Sequence, residues 1–122
     1  AYINGGHNPP FIVSEDGVLK ATLRPTGPAV GMFPGVEFQI EYAHFDPGDI
    51  LFAYTDGVTE ARAKDKEFYT EKRLIELLSQ PIPSATALVD RVYDTIHEFM
   101  TGATQADDIT MMAVHRKRIA ES

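Results

Sequence analysis

Two aspartates hold the residue types and positions best suited to chemistry in this chain. Ile50-Leu51-Phe52-Ala53-Tyr54-Thr55 runs directly into Asp56-Gly57, and Asp107-Asp108 runs directly into Ile109-Thr110-Met111-Met112-Ala113-Val114. Apolar strands that bring carboxylates to one edge of a sheet form half of a divalent-metal site. A hard cation such as Mg²⁺ or Mn²⁺ prefers oxygen ligands and lowers the pKa of a bound water toward neutrality. Gly57 beside Asp56 lets backbone and metal approach closely. Each aspartate also has a simpler reading. Asp-Gly commonly just turns a chain, and Asp107-Asp108 could be two solvated acids in a helix-to-strand loop. Neighbouring side chains on a strand point to opposite faces, so one of Asp107 and Asp108 aims at the site. Strand-end carboxylates crowded together without a cation would repel each other, which favours the metal reading of Asp56 with Asp107.

The remaining candidates are weaker. The absence of cysteine excludes disulfides, thiolate zinc sites and cysteine nucleophiles, and it fits a reducing cytoplasm. His7 lies in a glycine-proline turn, where a histidine is more often a hydrogen-bonding loop former than a base or ligand. Gly5-Gly6 could cradle a phosphate, but no helix clearly starts there. His44, His97 and His115 match no metal spacing, and no serine sits in a nucleophile elbow. Asp90, Asp94 and Glu98 share one helix face, read first as a solvated face and second as a docking face for a basic partner.

The elements that position the aspartates follow from periodicity. Phe11–Ser14 and residues 18–22 read as strands joined by the tight-turn pair Asp16-Gly17. Residues 25–35 form a proline- and glycine-rich loop around Val30-Gly31-Met32-Phe33. Phe38, Ile40 and Tyr42 alternate with Glu37, Gln39 and Glu41, which predicts a strand with one wet face. The run from Ile50 to Tyr54 is apolar throughout, which predicts a central strand covered on both sides. Leu74, Ile75, Leu77 and Leu78 mark a helix over 71–80 with Thr70 as its N-cap, stopped by Pro81. Ser84 caps a longer helix to about Met100, with Leu88, Val92, Ile96 and Phe99 in one stripe and Gly102 at its end. Met111, Met112 and Val114 form the last strand. These elements predict a layered α/β domain with a largely antiparallel sheet and helices on one face. The other face lacks a cover within this chain, which points to a fragment or a partner.

Composition agrees with a packed domain. With 122 residues, 43% hydrophobic and 24% charged, the chain can bury a core. A net charge of −7, from 18 acidic against 11 basic residues, argues against a nucleic-acid partner. No apolar run approaches the roughly 20 residues of a membrane span.

The order of these motifs resembles a family. Gly6-His7-Asn8-Pro9-Pro10, Gly31-Met32, Pro47-Gly48-Asp49-Ile50-Leu51, Tyr54-Thr55-Asp56-Gly57-Val58-Thr59-Glu60-Ala61 and Asp107-Asp108-Ile109-Thr110 together resemble the bacterial SpoIIE-like serine phosphatases, members of the metal-dependent (PPM, type 2C) protein phosphatases. The resemblance implies an α-β-β-α sandwich with its metal site at one edge. It implies hydrolysis of phosphoserine or phosphothreonine on a cytoplasmic signalling protein, such as an anti-sigma-factor antagonist, under an upstream sensory or receiver domain. Asp56 and Asp107 match the family's two late metal ligands, for Mn²⁺ or Mg²⁺, with Gly57 and Asp108 in supporting positions. Two ions are expected in the intact domain, activating a water without any protein nucleophile.

The departures are informative. The family's early Asp-Gly motif, with its bridging aspartate, lies upstream of the Gly-His-Asn-Pro-Pro segment, as do the first layer's helices. The 122 residues are therefore expected to be the C-terminal part of one such domain, an incomplete sandwich inactive alone. Gly5 stands where relatives often have alanine and Thr70 where they often have glycine, and both exchanges are expected to be benign. The rival readings are a non-catalytic interaction module with a degenerate phosphatase fold, and a magnesium-dependent hydrolase of another fold.

Overall fold

A computed structural model describes residues 2, 4, 8–26, 40–65, 67–103 and 109–118. The strands are β1 (Phe11–Ser14), β2 (Leu19–Thr22), β3 (Asp49–Tyr54) and β4 (Met111–His115). The helices are α1 (Asp56–Thr59), α2 (Thr70–Leu78) and α3 (Ala85–Phe99). The strands form one four-stranded antiparallel sheet in the order β2-β1-β3-β4.

The β1–β2 hairpin closes where the sequence predicts. Gly17 takes φ +85°, and a Cβ there would fall 2.4 Å from the Gln80 backbone. The turn therefore needs glycine for its conformation and for its close approach to the end of α2. Ile82 N–H donates to Glu15 O at 2.7 Å and fixes the same seam.

β3 is an interior strand, as its apolar run requires, but among the described residues the helices cover only one side of it. Ile50, Phe52 and Tyr54 are fully buried, whereas Leu51 and Ala53 between them are half-buried. Period-two alternation sends the first set toward the helices. There Phe11 and Val13 join them against Leu74 and Leu78 of α2 and Leu88, Val92 and Ile96 of α3. Each such side chain contributes about 1.5–3 kcal/mol by leaving water. Phe11 and Phe52 stack on Tyr54 with centroids 5.7 and 5.9 Å apart, which stiffens the strand end.

The opposite face carries Ile12, Leu51, Ala53, Met112 and Val114 in register. Ile12 is buried in a hollow it shares with Tyr2, Leu23, Ala43, Phe45 and Leu51. Met112 and Val114 remain 55% and 42% exposed. Among the described residues the expected two-sided cover of β3 is thus replaced by a single helical layer, with the opposite face open at Met112 and Val114.

Other expectations change in detail. Residues 37–39 lie outside the described residues. Beyond them, Ile40 and Tyr42 are 57% and 80% exposed, and Glu41 makes only an isolated bridge to Tyr2. Alternation predicted a half-buried strand there, but among the described residues no element packs on its apolar side. Ser84 caps α3 through its hydroxyl, which accepts from Ala87 N–H at 3.0 Å. Thr70 does not cap α2: Tyr69 holds that place, with no side-chain capping bond. Thr70 itself adopts φ +72°, a conformation that a β-branched residue takes only under strain. The exchange of glycine for threonine at this position is therefore costly rather than benign.

Candidate metal centre

β3 ends at Tyr54, Thr55 continues extended, and Asp56 begins the single turn of α1. The chain turns helical here because Val58 must re-enter the core, where it is fully buried with Gly57 beside it. Asp56 is left on the rim with its side chain exposed. Its backbone carbonyl accepts from Glu60 N–H at 2.8 Å, closing the turn. Among the described residues its carboxylate meets no cation and accepts no hydrogen bond.

β4 reaches the same rim. Thr55 N–H donates to Thr110 O at 3.0 Å, and Thr110 N–H donates to the Thr55 hydroxyl at 3.3 Å. This pair extends the β3–β4 ladder beyond Tyr54–Met111 and brings the start of β4 beside the start of α1. Asp107 and Asp108, the second half of the predicted site, lie outside the described residues, as do His7, Gly5, Gly6, Gly31 and Met32.

Beneath the rim lies Tyr54, 2% exposed. Burial pushes its hydroxyl up to about 12, the nearby Glu71 and Asp56 charges push the same way, and Arg24 opposes them. The rim thus gathers carboxylates from α1 and α2 and a guanidinium from the segment after β2. Register explains the last. Phe11 pairs with both Thr22 and Phe52, so the chain beyond Thr22 and the chain beyond Phe52 leave the sheet at the same end. Asn4, buried, holds that segment by donating to Leu23 O at 2.8 Å through its side chain. Glu71 and Arg24 carry no local sequence signal, because only the packing of α2 and the hairpin brings them near Tyr54.

Among the described residues no three carboxylate or imidazole groups converge to hold an ion. Asp56 nevertheless fits a hard cation: it is a carboxylate, exposed, and uncommitted to any donor among the described residues.

A four-stranded antiparallel sheet backed by two helices matches solved phosphatase domains. The PP2C phosphatase domain of the cell fate determinant SpoIIE from Bacillus subtilis matches with a TM-score of 0.70 over 93% of this chain and 33% of that one, at 19% identity. The SiaA-PP2C domain of Pseudomonas aeruginosa matches with a TM-score of 0.69 over 91% of this chain and 44% of that one, at 20% identity. These likenesses define the fold as the PP2C phosphatase type. The chain belongs to the SpoIIE family, described as Stage II sporulation protein E, which matches residues 1–117. Among curated proteins it is 45% identical to Protein IcfG of Synechocystis sp. (strain ATCC 27184 / PCC 6803 / Kazusa), over 95% of this chain and 18% of that protein. It is 26% identical to the phosphoserine phosphatase RsbU of Bacillus subtilis (strain 168), over 95% of this chain and 34% of that protein. The chain spans about a third or less of these relatives.

Proposed function

We propose that these residues are the C-terminal part of a SpoIIE-like phosphatase domain that hydrolyses phosphoserine or phosphothreonine on a regulatory protein. The observation that carries this reading is the Asp56 carboxylate, exposed and without a partner among the described residues at the rim of a sheet in a chain of this family. That the chain covers 44% of the solved SiaA-PP2C domain supports its being one part of such a domain. Asp56 and Asp107 would hold Mn²⁺ or Mg²⁺, with Gly57 leaving space and Asp108 in support.

The bound cation supplies Lewis-acid charge and an activated water. The chain's own part is positional. Thr55 and Thr110 lock the strand ends together, Val58 anchors α1, and buried Tyr54 keeps the floor of the rim dry and rigid. A rigid carboxylate loses little entropy on capturing a cation, and a low-dielectric floor strengthens its field. The named activity of RsbU supports a phosphoserine substrate, and an anti-sigma-factor antagonist or similar cytoplasmic regulator is the class we assign. An upstream sensory or receiver domain would control the site. Among the described residues no helix is long and apolar enough to cross a membrane.

Calorimetric titration with Mn²⁺, together with a phosphoserine-peptide assay, tests the proposal. The full-length protein is expected to bind Mn²⁺ and release phosphate, and the 122 residues alone to do neither well. Failure of the full-length protein to hydrolyse any phosphomonoester with Mn²⁺ or Mg²⁺ refutes the phosphatase reading. Micromolar affinity and turnover by the 122 residues alone refute the reading of them as an incomplete domain.

A further inference from the structure

Between α1 and α2 the chain forms a hairpin that the metal chemistry does not use. Arg62 bridges Phe68 in antiparallel fashion, Tyr69 N–H donates to Ala61 O at 2.7 Å, and Ala63 N–H donates to Glu67 O at 2.8 Å. Its base is anchored, since Ala61 and Tyr69 are 6% and 1% exposed. Its outer part faces solvent, with Phe68 44% exposed. The Arg62 guanidinium sits 4.6 Å above the Phe68 ring, an arrangement that holds a flexible cation in place.

The charges on this finger are unevenly satisfied. Asp65 accepts from Glu67 N–H at 3.0 Å, and the Glu67 carboxylate lies 3.4 Å from Arg73. Arg62 and Lys64 meet no carboxylate among the described residues. Arg62 and Lys64 are thus two available cations on a surface that also carries Asp65, Glu67 and Glu76.

Its place is also telling. The finger leaves α1 only a few residues after Asp56. The Lys64 stem lies against Gly102, where a Cβ would come within 3.2 Å of Lys64 Cδ. The finger therefore touches the turn that ends α3. Behind Phe68 opens a cleft of about 400 Å³, lined also by Glu67, Thr70, Lys72, Arg73 and Glu76.

We propose that the Arg62–Phe68 finger and its cleft dock an acidic segment flanking the phosphorylated residue of the substrate protein. Arg62 and Lys64 meet the carboxylates of that segment, and Phe68 packs against its apolar atoms. Charge complementarity of this kind favours one partner over others and speeds encounter. The proposal rests on the phosphatase reading of the Asp56 rim.

The test uses the full-length protein with Mn²⁺ and two phosphoserine peptides that differ only in acidic or basic flanks. The wild type is expected to favour the acidic peptide in kcat/KM. Arg62→Glu is expected to reduce the acidic-to-basic ratio about tenfold, the scale of one charge-assisted contact. Phe68→Ala is expected to lower kcat/KM for the acidic peptide by a smaller factor. Thermal melts confirm that both variants fold. An unchanged ratio in Arg62→Glu overturns the proposal. If the wild type hydrolyses neither peptide nor p-nitrophenyl phosphate, the phosphatase reading fails instead. The anisotropy of the labelled acidic peptide then decides the finger: about tenfold weaker binding by Arg62→Glu supports it, and equal binding overturns it.

Discussion

β3 has an aspartate at each end, and the protein treats the two in opposite ways. Asp49 opens the strand, is 3% exposed, and accepts from Lys20 Nζ at 2.6 Å and from Asp46 N–H at 2.9 Å. Lys20 also reaches Asp46 at 2.8 Å, so one ammonium gathers the β2 strand and the turn before β3. Close by, Glu15 lies 3.3 Å from His115 and 3.6 Å from Arg118. Asp56, just past the other end, is exposed and has no protein partner among the described residues. A carboxylate sealed by its own protein's donors serves the fold. One held on a rigid rim with its lone pairs open can serve a ligand. The same residue type is thus sealed into the fold at one end of the strand and, in the function proposed above, left open for a ligand at the other, and the distinction lies in its partners.

Breaking the open end should have the largest effect. Asp56→Asn in the full-length protein is expected to reduce phosphoserine turnover at least about a hundredfold, because it would remove a charged ligand of the proposed metal. Its melting temperature should be unchanged or higher, since no protein contact is lost. A fall in stability matching that of an Asp49 variant would erase the contrast. At the sealed end the expectation reverses. Asp49→Ala should cost about 1–3 kcal/mol in urea unfolding, because Lys20 and the Asp46 N–H lose a buried acceptor. The folded variant should keep its phosphatase activity.

A smaller effect tests whether strain is concentrated on the functional side. Thr70, at φ +72°, begins the helix whose Glu71 charge is felt at Tyr54. Strain of this kind costs roughly 1–3 kcal/mol, and glycine's extra freedom when unfolded returns roughly 1 kcal/mol of that. Thr70→Gly should therefore stabilise the protein by about 1 kcal/mol, read by denaturant midpoint at constant slope.

The mildest test is pH. The hydrogen bond from Lys20 holds the Asp46 carboxyl below its usual range, and the Lys20 ammonium is raised chiefly by Asp46, then by Asp49. The Asp46 contribution is complete above the ordinary aspartate value of about 3.9 and is lost as pH falls through its lowered folded value. The Lys20 contribution is complete below the ordinary lysine value and is lost as pH rises through its raised one. Lys20→Met should therefore melt below the wild type near neutral pH, with the gap closing in acid. A gap that persists at pH 2 would assign the clamp to packing rather than charge.

Much of this architecture was legible in the residues. The Asp16-Gly17 turn, the Ser84 cap and the 3.6-residue stripe through Leu88, Val92 and Ile96 are local signals, and each appears where predicted. The one-sided cover of β3 was half legible: the run from Ile50 to Tyr54 reports apolarity, but only the layers present decide which alternate residues are sealed. The same reason explains the strand expected around Ile40 and Tyr42. Alternation supplies a face, and packing must supply something to bury it. Asp56 stood out because its Asp-Gly pair follows a buried strand. Glu71 and Arg24 did not, since their charges reach Tyr54 only through long-range register and helix packing.

The order of turn residues, caps and apolar periods determined the element types, the exposed carboxylate after β3 and the family. These depend on interactions within a few residues, where backbone sterics and side-chain pattern act directly. Only the tertiary structure decided which aspartate of β3 is sealed by Lys20 and which stays open. It also decided that Thr70 must take a glycine conformation, and that Arg62 is held over the Phe68 ring. Those outcomes depend on groups far apart in the chain, and nothing in local sequence encodes how close they come once the sheet has closed.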